Sequence, residues 1–302
     1  MKIIDRGGGT PIVVIPGVQG RWEWMKPTID ALAQRCRVVT FSLADEPSCG
    51  GHFDEGDGFG CYVEQVREAL DAAGIPEATI CGVSYGGLIA AAFAARYPAR
   101  TSSLVLVSAL PAGWQPNARV RFYLRAPRLL MPLFMVSSLR MFPEIAAAND
   151  SMTKGLSAAV RHGWRVLTHM FSPSRMARRV HLLQHVDLQQ ELAQLPATGN
   201  QLPTLIITGE PSLDCVVRVA ETHAYLQLWP QASVATIART GHLGLITRPS
   251  AFANIVVPFA ERCGGSASRP STTARGALSE VEGRNPPYVP NKASSSTRRR
   301  VG

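Results

Sequence analysis

No stretch of about 20 consecutive apolar residues occurs in this chain, so no membrane-spanning helix is expected. The opening MKIIDRGGGTPIVV lacks the apolar run and small-residue cleavage site of a secretory leader. The six cysteines (Cys36, Cys49, Cys61, Cys81, Cys215, Cys263) contain no C-x-x-C pair, which argues against a zinc site or a disulfide framework and for a reducing cytoplasm. Acidic residues are the scarcer charge, 22 against 31 Lys and Arg, for a net charge of +9. The basic excess sits in residues 113–200 (+7) and 264–302 (+5). No nucleic-acid motif and no aromatic–basic interleaving accompanies it, so a nucleic-acid partner is not expected. The arginines of 113–200 are read first as solvated faces of helices, with contact to an acidic substrate or to an anionic membrane surface as the alternatives.

What is present is a globular composition, 46% hydrophobic and 18% charged, in a chain of 302 residues long enough to bury a full core. Short apolar runs at 12–15, 37–41, 79–81, 104–107, 205–208 and 234–237 are read as strands, and none is read before Ile12. Their nearly continuous apolarity suits a parallel sheet covered on both faces. Helical segments at 26–34, 62–73, 85–97 and 249–262 alternate with them. The alternation predicts an α/β architecture of right-handed βαβ units in a doubly wound, mostly parallel sheet.

The alternation lapses over residues 113–200, which read as several helices inserted between two strands, a cap above the strand ends. The core is then 1–112 with 201–263, and the Ser-, Pro-, Gly- and Arg-rich segment 264–302 is expected to be a disordered basic tail.

One stretch carries the chemistry. In TICGVSYGGLIAAAFAARYP, from Thr79 to Pro98, an apolar strand stops on Gly82-Val83-Ser84-Tyr85-Gly86 and restarts as an alanine-rich helix. That is the context a nucleophile elbow requires, with Ser84 raised on a sharp turn and the helix N-terminus directed at charge developing beside it. A serine hydroxyl needs a base, and the base needs an orienting acid. Of the seven histidines, His242 in RTGHLGLITRP follows the last strand at a glycine-flanked turn, on the same sheet edge as Ser84. His52 lies in a loop, His223 in an amphipathic stretch, and His162, His169, His181 and His185 in the insert. His181 and His185, spaced i and i+4, lack the third ligand a metal site would need.

The acid is expected after the strand LIIT, in GEPSLDCVV, where Asp214 is favoured and Glu210 is the second choice. The order Ser84, Asp214, His242 is the one expected of this architecture. Two amides should receive an oxyanion. One is the Tyr85 N–H after the nucleophile, and the other is the Val18 N–H in IPGVQGRW. Trp22 and Trp24 are candidates for lining an acyl pocket, as are Met131 and Met135 in the insert.

These motifs together resemble the α/β-hydrolase fold with a helical cap, over roughly residues 10–263: Pro16-Gly17 as oxyanion loop, GVSYGG as elbow, TGEPSLD as acid loop and TGH as histidine turn. Many members have His-Gly where this chain has Pro16-Gly17, and the N-terminal hairpin common in the family is nearly missing. The resemblance implies a serine esterase acting on a small ester or acyl substrate through an acyl-enzyme, with no metal or organic cofactor. Lactone, thioester or C–C bond hydrolysis and acyl transfer would use the same residues, and a non-catalytic binding protein could share the fold. Serine rather than aspartate at the elbow argues against dehalogenase and epoxide-hydrolase chemistry.

Overall fold

The computed structural model describes residues 1–148, 172–193 and 202–264. Residues 149–171, 194–201 and 265–302 lie outside the described set, and with them His162, His169, part of the expected cap and all but Gly264 of the expected tail. Seven strands form one sheet: β1 (Ile3–Arg6), β2 (Pro11–Ile15), β3 (Arg37–Phe41), β4 (Ala78–Val83), β5 (Thr101–Val107), β6 (Thr204–Thr208) and β7 (Ser233–Thr236). Their spatial order is β1-β3-β2-β4-β5-β6-β7, with every neighbouring pair parallel except β1 against β3.

Both faces of the sheet are covered because successive strand residues point to opposite sides and both sets are apolar. Val13, Ile15, Val39, Ile80, Leu104 and Leu106 join one core cluster; Ile12, Val14, Val38, Cys81, Val105 and Val107 join the other. The first face is covered by α2 (Gly60–Ala72) and α3 (Tyr85–Arg96), the second by α1 (Lys26–Leu32) and, after a short helix α10 (Gly244–Thr247), by α11 (Pro249–Gly264). Burying Phe252, Val256 and Val257 of α11 contributes about 1.5–3 kcal/mol per side chain.

Strand β1 is the element missing from the sequence-based expectation. It is four residues long, half-buried, and bears Asp5 and Arg6, so it lacks the apolar signature of the interior strands. It pairs with β3 and not with β2, so it forms an antiparallel edge without a hairpin. Helix α3 has no polar stripe because every residue from Tyr85 to Ala94 is buried. Its glycines and alanines let β4, α2 and an insert helix approach it closely.

Between β5 and β6 the described residues contain helices and no strand: α4 (Ala118–Arg125), α5 (Met131–Ser138), α6 (Phe142–Ala147), α7 (Pro173–Leu182) and α8 (Leu188–Ala193). Asn117 caps α4 by accepting the Val120 N–H, and Ser172 caps α7 by accepting the Arg175 N–H. Neither α4 nor α5 buries a residue, whereas Leu188 and Leu192 of α8 are buried against the core. Glu191 of α8 forms a bidentate pair with Arg96 at the end of α3, at 2.6 and 2.9 Å. Between β6 and β7, the short helix α9 (Val219–His223) is tied to the end of β5, since the buried Thr222 hydroxyl donates to the Ala109 carbonyl at 3.0 Å.

Candidate active site

The parallel strands bring the ends of β4, β6 and β7, and the loops that follow them, to one edge of the sheet, where open α/β sheets place their sites. At the end of β4, Ser84 has φ 54° and ψ −116°, a left-handed conformation that costs a non-glycine residue of order 1–3 kcal/mol. The surroundings impose it. The Ser84 N–H donates to the Val107 carbonyl at 2.9 Å, and its own carbonyl accepts from the Gly87 N–H at 2.9 Å. A Cβ on Gly82 would lie 2.2 Å from the Gly86 carbonyl oxygen, and one on Gly86 only 2.5 Å from that of Pro16. The two glycines are therefore required by close backbone approach as strand turns into helix.

The loop after β2 lies against this turn, since the Cβ position of Gly17 is 3.6 Å from the Ser84 Cβ. Its tight turn closes through the Gly20 N–H and the Gly17 carbonyl at 2.9 Å, with Val18 and Gln19 at the corners. Tyr85 opens α3, so its N–H belongs to the helix N-terminus, where donors lack intrahelical partners.

The acid loop and the histidine turn interlock. A Cβ on Gly241 would lie 2.5 Å from the Leu213 carbonyl, and the Glu210 N–H donates to the Thr240 carbonyl at 2.7 Å. The His242 Nδ1 faces the Asp214 Oδ2 at 3.6 Å, with the two side chains 11% and 1% exposed. Both atoms are buried without a hydrogen bond elsewhere among the described residues. The separation is somewhat long for a hydrogen bond. The other Asp214 oxygen accepts the Val216 and Val217 N–H groups, both at 3.0 Å. Burial pushes the Asp214 carboxyl up, but His242 and these two amides outweigh it and hold the group below its ordinary range.

Glu210, the alternative acid, is occupied differently. Its Oε1 accepts the N–H of Arg239, a residue with φ 60°, at 2.6 Å. It braces the strained bend that leads into His242. His181 and His185 are exposed, and no group of three or more metal-ligating side chains occurs among the described residues. Arg6 stacks over Trp22 at 5.6 Å from the ring centroid, while Met131 and Met135 are half-buried on α5.

Two charged residues of the insert reach the site and were not singled out from sequence. Glu144 of α6 is 1% exposed and accepts the Leu243 N–H, next to His242, at 2.5 Å. Burial pushes its carboxyl up to about 7, against the pull of the Gly241 and Leu243 amides and of His242. The available signal was the rarity of acids in a basic insert. Arg179 of α7 is wholly buried among Asp45, Glu46 and the Val18 carbonyl, so for this arginine the favoured reading of a solvated helix face does not hold.

A model of the alpha/beta hydrolase family matches residues 12–255. The chain belongs to that family. RutD of Azorhizobium caulinodans, whose name proposes carbamate hydrolysis, is 24% identical over 261 residues, covering 84% of this chain and 92% of its own. The poly(3-hydroxyalkanoate) depolymerase of Ectopseudomonas oleovorans is 25% identical over 269 residues, covering 84% and 85%. Among solved structures, the enol-lactonase of Burkholderia xenovorans LB400 superposes with a TM-score of 0.67 at 20% identity, covering 85% of this chain and 95% of the other. This α/β hydrolase therefore shares its fold with an enol-lactonase, and the two relatives above are named as a carbamate hydrolase and a depolymerase. No helix among the described residues is long and apolar enough to cross a membrane.

Proposed function

We propose that this α/β hydrolase is a serine hydrolase cleaving a carboxylic ester or related acyl bond through an acyl-enzyme. The observation that carries the reading is the strained Ser84 elbow, on the sheet edge where His242 and Asp214 face each other. Ser84 Oγ attacks the carbonyl carbon while His242 takes its proton. The developing oxyanion is received by the N–H groups of Tyr85 and Val18, and His242 then protonates the leaving group. Asp214, held ionised, fixes the imidazole tautomer and stabilises its cationic form. Water attacks the acyl-enzyme by the same route and frees Ser84. The names of the relatives support hydrolysis as the reaction class.

The helical insert is read as a cap that shapes the pocket for a small acyl substrate. The setting proposed is a reducing cytoplasm, on the scattered spacing of the six cysteines. A fluorophosphonate probe should label the wild-type protein at Ser84 and leave Ser84→Ala unlabelled. A panel of p-nitrophenyl esters of graded acyl length, with lactones and thioesters alongside, should then show turnover in at least one class. Absence of both labelling and turnover would remove the serine-hydrolase reading.

A further inference from the structure

We infer that Arg179, carried by the insert, is a positioning residue whose guanidinium holds the Val18 half of the oxyanion hole. The inference rests on the serine-hydrolase reading above. Its guanidinium Nη1 donates to the Val18 carbonyl at 2.7 Å. Its own backbone carbonyl accepts the Tyr85 hydroxyl at 3.3 Å. Val18 and Tyr85 are the two residues whose N–H groups are assigned to the oxyanion; the guanidinium fixes the first, and the insert backbone meets the side chain of the second.

The rest of the guanidinium is committed to fixing its own position. Nε and Nη2 donate to Asp45 Oδ1 at 3.0 and 2.6 Å, and Nη2 also donates to Glu46 Oε1 at 2.6 Å. Arg179 and Asp45 are 0% exposed at the side chain, and Glu46 is 1% exposed. Asp45 and Glu46 follow β3, and the Leu43 N–H donates to the Gly20 carbonyl at 2.8 Å, so this anionic support is continuous with the oxyanion loop. Gly20 completes the fit. It has φ 75°, and a Cβ there would lie 2.3 Å from both terminal guanidinium nitrogens. The loop contacts Ser84 through Gly17 on one side and Arg179 through Val18 and Gly20 on the other.

Energetics favour a positioning role over a purely stabilising one. Desolvating one cation and two anions is costly, and an apolar replacement of the whole set is often as stable or more so. What an apolar cluster cannot supply is a planar donor that fixes a carbonyl while gripping two carboxylates in set directions. The oxyanion hole depends on such fixed donors, because its contribution comes from dipoles already aligned before charge develops.

The experiment compares wild type, Arg179→Lys, and the triple variant Asp45→Asn/Glu46→Gln/Arg179→Met, which removes the cation without stranding its anions. Each is checked for a cooperative thermal transition. On the best p-nitrophenyl ester, kcat of the folded triple variant should fall by ~10²-fold, the scale of one lost oxyanion donor. KM should stay within about threefold, and affinity for a trifluoromethyl ketone, which places an oxyanion in the hole, should fall in step with kcat. Arg179→Lys, with a compact ammonium in place of the fork, should be intermediate. Hydrogen exchange at the residue 17–20 amides should quicken in both variants, and that readout needs no turnover. Should the triple variant not fold, Arg179→Lys carries the same comparison. A folded variant with wild-type kcat, inhibitor affinity and exchange would overturn the inference. If wild type is neither labelled by fluorophosphonate nor active, the serine-hydrolase reading fails on its own, and the exchange data still decide whether Arg179 holds the loop.

Discussion

Replacing Glu144 by Gln should flatten the stability of this protein between about pH 5 and pH 8. Glu144 is 1% exposed, with one oxygen on the Leu243 N–H and the other without a hydrogen-bond partner among the described residues. Burial pushes its carboxyl from an ordinary 4.5 up to about 7, with Asp214 adding in the same direction. The folded protein therefore retains a proton that the unfolded chain has released. The stability this group contributes is complete below pH 4.5 and is lost as pH rises through about 7. At roughly 1.4 kcal/mol per pH unit, the loss between pH 5 and pH 8 is on the order of 2–3 kcal/mol. The glutamine side chain would keep an acceptor for the Leu243 N–H and carry no proton to lose. Urea unfolding of both proteins at pH 5, 6, 7 and 8 measures the effect, with the slope m checked for constancy. The variant should gain on wild type by on the order of 2–3 kcal/mol across the series. Asp214 does not confuse the comparison. Its folded value is lowered, so its contribution is present above its ordinary range and disappears only at more acid pH. A difference between the two proteins that stays constant to within about 0.5 kcal/mol would refute the reasoning.

The proposed site gives four further expectations. Ser84→Ala should fold and lose as much as ~10⁶-fold in turnover, the scale of a missing nucleophile, measured in a preparation free of contaminating esterase. Asp214→Asn should cost up to ~10⁴-fold through loss of the imidazole's orienting anion. Glu210→Gln should cost less than about tenfold, since the amide oxygen can still accept the Arg239 N–H; kinetics on both, with folding checked by circular dichroism, would transfer the role if the ranking reversed. Gly86→Ala should lower Tm and turnover together, because its Cβ would meet the Pro16 and Ile15 carbonyls at 2.5 and 2.6 Å; a variant with unchanged Tm would show that the elbow can relax.

Local pattern made much of this molecule legible. The interior strands announce themselves because a parallel strand buried on both faces must be apolar at nearly every position, as in β2 and β6. The elbow is legible for a related reason. Its glycines are demanded by backbone contacts within a few residues, as Gly82 against Gly86 shows, so the spacing itself reports the turn. Where partners are distant, sequence is silent. Strand β1 owes its structure to pairing with β3, and nothing in IIDR signals an edge strand. Asp214 and Glu210 are two carboxylates of one loop, distinguished only by where folding sends them, one to His242 and the other to the Arg239 amide.

The charged residues of the insert show the same divide most plainly. An arginine in RMARRV reads as solvated because burying a charge without partners is prohibitive. Arg179 is buried because its partners, 133 to 161 residues earlier in the chain, arrive together from the loops after β2 and β3. Glu144 meets the Leu243 amide across 99 residues in the same way. Sequence by itself determined the interior strands, the elbow and the short list of residues proposed for acyl chemistry, because those depend on neighbours in the chain. Tertiary structure alone decided which charges could leave water, because the cost of desolvating them is offset only by partners that folding brings into contact.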